Sequence, residues 1–142
     1  MEARILVPVD GSDTSQRTLQ AIIDLKQRFA PTLTLLHVVD TDKLAYRMIP
    51  DFQVEMIREN AGKAGELLLQ SQVERMEQAG FTIEAKLQFG APRRVITQVT
   101  NDEEFQLLVI GRRTGTGEIR DVLFGSVANY VLHNAKCPVL LF

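Results

Sequence analysis

The stretch GRRTGTGEIRDVLFGS, residues 111–126, places four glycines and three arginines between the apolar run LLVI and the amphipathic run SVANYVLHNA. Glycines let a backbone take positive φ and let a ligand come close to amide N–H groups. A helix start beyond them supplies unpaired N–H donors and a partial positive charge. Together these are the parts of a phosphate site, with the Ser126 hydroxyl and the neighbouring amides at the helix start. Arg112, Arg113 and Arg120 could add charge from the rim. The same residues also read as a plain strand-to-helix connection in which Gly125 and Ser126 form an ordinary cap, and composition alone leaves both readings open. A second polar turn, VDGSDTS at 9–15, follows the first apolar run. There Asp10 is a candidate ligand contact or an Asx-turn residue.

Short phosphate motifs narrow the chemistry. No G-x-x-x-x-G-K-[ST] occurs in the chain, which excludes a P-loop triphosphatase. GTGEIR, from Gly115, has Arg120 where the dinucleotide fingerprint needs its third glycine. The two histidines, His37 and His133, and the single Cys137 form no zinc pattern,. His37 reads as a packed strand residue, His133 as an exposed or half-exposed helix residue, and Cys137 as a small hydrophobe.

Both turns need elements to hold them. RILVPV is an unbroken apolar run, and DGSDTS after it is ready to cap a helical pattern through Leu19, Ile22, Ile23, Leu25 and Phe29 that Pro31 closes. LTLLHVV at 33–39 is the second strand. Beyond Pro50 a long helical segment runs to about Ala79, with Ile57, Ala61, Ala64, Leu68, Val73 and Met76 on one face and a possible kink at Gly62 and Gly65. TIEAKLQF at 82–89 alternates, as an edge strand would. Pro92 suits the first position of a short helix, QLLVI is the fourth strand, and CPVLLF ends the chain as a fifth after a helix over 126–134. The alternation of strands and helices, with mostly unbroken apolar strands, predicts an α/β doubly wound sheet, parallel and covered by helices on both faces. In such sheets ligands bind beyond the carboxyl ends of the strands, and both polar turns lie there.

The 142 residues, 45% of them hydrophobic, suit one domain over 1–142,. A formal net charge of −2 gives no general pull toward nucleic acid or anionic membrane,. The N-terminal run has no signal-peptide pattern, no run approaches a membrane span, and one cysteine suits a reducing compartment. These features predict a cytoplasmic protein with no nucleic-acid or membrane partner. The terminal run Val139, Leu140, Leu141 is apolar at consecutive positions on a probable edge, and pairing with a second copy is its simplest cover.

ILVPVDGS, LLHVVD at 35–40, GAP at 90–92 and VIGRRTG with LFGSVANYVLHNAKCPVLLF at the end together resemble the universal stress protein family across essentially the whole chain. The resemblance implies a Rossmann-like, open five-stranded parallel sheet in the order 3-2-1-4-5 and dimerisation through the last strand. It implies an ATP site, with Mg²⁺ on the phosphates. Pro8, Val9 and Asp10 would lie beside the adenosine, Val38 would offer backbone groups to the adenine edge, and Gly115, Gly125, Ser126 and Val127 would line the phosphates. Nucleotide-binding members carry G-x2-G-x9-G-[ST]; here Gly115 to Gly125-Ser126 keeps the nine-residue interval, while Gly111 to Gly115 encloses three residues instead of two. The ribose contact that the resemblance implies for Gly111 falls on this longer interval. The expected function is a nucleotide-responsive homodimer. The alternatives are a partner-binding dimer that has lost the nucleotide, and a slow ATPase or autophosphorylating protein, for which the chain shows no nucleophile with an orienting base.

Overall fold

A computed structural model describes residues 3–42, 50–112 and 125–142. Strand β1 (Ile5–Pro8) leads into helix α1 (Asp13–Asp24), and β2 (Thr32–Asp40) precedes the long helix α2 (Asp51–Gln78). Then follow β3 (Thr82–Gly90), α3 (Pro92–Asp102), β4 (Leu107–Ile110), α4 (Ser126–Asn134) and β5 (Val139–Leu141). All pairings are parallel and the sheet order is β3-β2-β1-β4-β5. Among the described residues β5 is therefore an edge strand.

The central strands are mostly apolar because both of their faces are covered,. Ile5 and Val7 of β1 join Leu33 and Leu35 of β2 against Leu19 and Ile22 of α1 and Leu69, Val73 and Met76 of α2. Leu6, Leu36 and Val38 turn the other way, with Ile96 and Val99 of α3 and Ala128 and Val131 of α4. Edge strand β3 is exposed or half-buried along its length, as its alternation predicts.

Helix α1 ends at Asp24, earlier than its apolar pattern suggests, and a 3-10 turn over Lys26–Arg28 carries the chain to Pro31. Helix α2 runs unbroken through Gly62 and Gly65. Its inward face is also rotated from the expected one. Gly62, Gly65, Leu69, Gln72, Val73 and Met76 are buried, while Ala64 is exposed and Ile57 is 36% exposed. The reason is proximity: a Cβ at Gly65 would lie 2.9 Å from Val39 Cγ2 and 3.1 Å from His37 Cδ2. The glycines let the helix axis settle onto β2 and β3, where alanine would hold it off.

Candidate functional site

Three helices begin around the carboxyl ends of β1 and β4, and between them lies a cavity of about 240 Å³, a little below the roughly 300–1,000 Å³ of typical ligand sites. Leu36, Val38, Ile96 and Ile110 give it an apolar floor. Pro8, Val9 and Asp10 form one wall, and Gly125, Ser126 and Val127 form another with Gly111 beside them. Eight of the ten residues singled out from the sequence thus line one space. Gly115 lies outside the described residues, as do Arg113, Arg120 and Thr114. Arg112 is exposed and absent from the lining; its N–H donates to the Phe142 carbonyl at 2.9 Å, which ties it to the β5 edge.

The β1 turn is tightly built. The Asp10 carboxylate accepts the Ser12 N–H at 2.8 Å, an Asx turn, and Ser12 Oγ caps α1 by accepting the Ser15 N–H at 3.2 Å. The Asp10 N–H in turn donates to Ser15 Oγ at 3.0 Å. Asp10 therefore has its structural role and still lines the cavity. It is the one titratable residue in that lining among the described residues.

Gly125 caps α4 with φ 90° and ψ 158°, a conformation a side chain rarely adopts, and among the described residues no side chain caps the helix. The first turn of α4, whose amides have no intrahelical acceptor, borders the cavity through Ser126, Val127 and Ala128,. Gly111 is required for a different reason: a Cβ there would run into Thr18 Oγ1 and lie 2.8 Å from Thr14 Cγ2. Its absent side chain lets the end of β4 rest against α1.

Sequence reasoning missed the α1 contribution. Ser12, Thr14, Ser15 and Thr18 all line the cavity. Their signal was present as the run SDTS-x-x-T, yet hydroxyls in a first helical turn read as caps until tertiary structure shows what lies opposite. Pro92 and Ala128 join the lining from the starts of α3 and α4.

His37 is a half-buried strand residue, as expected, and its Nδ1 lies 2.8 Å from the Val9 carbonyl. His133 is exposed. Away from the cavity, burial pushes the Cys137 thiol above its ordinary pKa, partly opposed by a hydrogen bond with its own backbone. That keeps it a poor nucleophile at neutral pH. Among the described residues no helix is long and apolar enough to cross a membrane.

The family model for the universal stress protein family matches residues 1–142. Universal stress protein Sll1388 of Synechocystis sp. is 30% identical, over 97% of this chain and 96% of its own. Among solved structures, universal stress protein UspA from Lactobacillus plantarum superposes with a TM-score of 0.79 at 23% identity, covering 99% of this chain and 97% of that one. A universal stress protein in complex with cAMP matches at TM-score 0.66 and 21% identity, over 100% and 98% of the two chains. One from Archaeoglobus fulgidus in complex with dAMP matches at 0.62 and 22%, over 98% and 96%. The chain belongs to the universal stress protein family.

Proposed function

We propose that this family member binds an adenine nucleotide, ATP in the first place, in the cavity at the ends of β1 and β4, and acts as a cytoplasmic homodimer whose partner surface responds to occupancy. The convergence of an apolar floor with helix N-termini in one cavity carries the reading. The floor of Leu36, Val38, Ile96 and Ile110 suits a flat purine,. Asp10 stands where a ribose hydroxyl or the base could donate to it. The uncapped start of α4 offers amide hydrogens to phosphate oxygens, with Ser126 adding a hydroxyl,. Gly115 and the arginines would complete the phosphate end. The relatives that hold cAMP and dAMP share this fold and support an adenine ligand.

Among the described residues no group of three or more His, Cys, Asp or Glu could hold a metal ion. Mg²⁺ would ride on the phosphate oxygens, neutralising their charge. The action proposed is binding and conformational change, without catalysis. Homodimerisation through β5 is the second part of the proposal. β5 is an edge, and Leu140 is 37% exposed on it, so a second copy would cover both its backbone and its side chain.

The one-residue-longer interval between Gly111 and Gly115 favours the second reading, a dimer that recognises a protein partner without nucleotide. Calorimetry of the stripped protein with ATP, ADP and AMP, each with and without Mg²⁺, separates the two. Mg²⁺-dependent ATP binding supports the proposal, and no heat from any of the three in an intact dimer supports the alternative. Mass spectrometry after incubation with ATP checks the slow-enzyme reading: an added phosphate or released ADP would make this protein more than a binder.

A further inference from the structure

In a parallel ladder a residue bonds through its N–H and its carbonyl to the two residues flanking its partner. Val9 continues β1, and its N–H donates to the Leu36 carbonyl at 2.8 Å. The next rung would join the Val9 carbonyl to the Val38 N–H. It is not formed. The Val9 carbonyl instead meets the imidazole Nδ1 of His37 at 2.8 Å. A carbonyl can only accept, so Nδ1 carries the hydrogen.

Two consequences follow for the cavity wall. The peptide joining Val9 to Asp10 is held at both ends, its carbonyl by His37 and its N–H by Ser15 Oγ at 3.0 Å. The Val38 backbone, whose side of β2 faces β1, is left without its ladder partner where Val38 borders the cavity. His37 itself is held by α2, whose Gly65 would place a Cβ 3.1 Å from its ring.

We infer that His37 is a positioning residue for the nucleotide's base end: its ring takes the Val9 carbonyl out of the β1–β2 ladder, holding Asp10 in place and leaving the Val38 N–H for the ligand. This deepens the proposed function and rests on it for the ligand's identity. The two variants that test it are His37→Leu, which keeps most of the ring's volume and loses the donor, and His37→Asn, whose Nδ2 replaces Nδ1 but which leaves a void under Gly65. Stability and affinity should then rank in opposite orders. Measured in the full chain by urea unfolding and by ATP calorimetry, His37→Asn is the less stable variant yet binds ATP close to the parent. His37→Leu binds about threefold to tenfold more weakly, the effect of one hydrogen bond. Affinities that follow stability, or unchanged binding in His37→Leu, overturn the inference.

Hydrogen exchange in the absence of nucleotide gives a readout independent of the ligand. Without the ring, the Val9 carbonyl is available to Val38, so the Val38 amide exchanges more slowly in His37→Leu than in His37→Asn. Equal exchange in the two variants overturns the inference. Should the parent protein bind no adenine nucleotide, the proposed function falls while this comparison still decides the role of His37.

Discussion

Gly125 holds φ at 90° at the start of α4, where Gly125, Ser126, Val127 and Ala128 line the cavity. A valine there is strained by its own backbone and fills the space a phosphate needs. Gly125→Val should leave the far-UV circular dichroism of the protein unchanged and abolish ATP heat in calorimetry; retained affinity would remove Gly125 from the site. At Gly111 the expected loss is of stability. Gly111→Ala drives a Cβ into Thr18 and Thr14 and should cost about 1–3 kcal/mol, the usual range for overpacking, read as a lower urea midpoint. Two glycines that border one loop thus separate into a cavity-lining residue proposed to meet phosphate and a packing residue. Their presence was legible in the sequence, but the distinction was not, because it depends on how near α1 lies to the end of β4. The hydroxyls of Ser12, Thr14, Ser15 and Thr18 escaped notice for the same reason. Asp10 could be read in advance as a turn residue or a site residue, and it lines the cavity while holding the turn.

Helix α2 shows how far periodicity carries at the scale of an element. Its existence, its start after Pro50 and its end near Ala79 follow from the pattern and from Gly80, whose φ of 100° permits the stop,. Its buried face does not, because glycines were weighed as weak points in a helix and are instead its contact surface. Substitution at the two should separate the effects. Alanine gains about 1 kcal/mol in helix propensity over glycine at either position. At Gly65 the new Cβ meets Val39 at 2.9 Å inside the core, and an overpacking cost of about 1–3 kcal/mol outweighs the gain. At Gly62 it meets only the Phe89 ring, Cζ at 3.1 Å and Cε1 at 3.4 Å, a side chain that is 39% exposed and has room to yield toward solvent. Urea unfolding should therefore show Gly65→Ala destabilised and Gly62→Ala neutral or stabilised by up to about 1 kcal/mol. Equal effects would mean that α2 does not sit on β2 as described. The strands were easier to read: unbroken apolar runs mark the covered ones, and alternation in TIEAKLQF marks the edge.

For the whole molecule, the strand order puts β5 at one margin and the cavity near the sheet's centre, so the proposed dimer edge and the candidate ligand site lie apart. A link between them exists in the backbone. The Phe142 N–H donates to the Ile110 carbonyl at 3.0 Å and the Arg112 N–H to the Phe142 carbonyl at 2.9 Å, which fastens the start of the glycine-rich loop to the end of β5. Leu140→Lys should place a charge on the exposed edge and give a folded monomer in sedimentation equilibrium; an unchanged dimer would move the interface elsewhere. The order of the strands was legible only through family resemblance, since apolar runs predict strands but not their neighbours.

The account stands on nucleotide binding. Freshly purified protein, denatured and cleared, should release adenine nucleotide on anion-exchange chromatography, or the stripped protein should bind ATP with Mg²⁺ at micromolar affinity, about −8 kcal/mol. Neither released nucleotide nor heat of binding, in protein that is folded and dimeric, would contradict it.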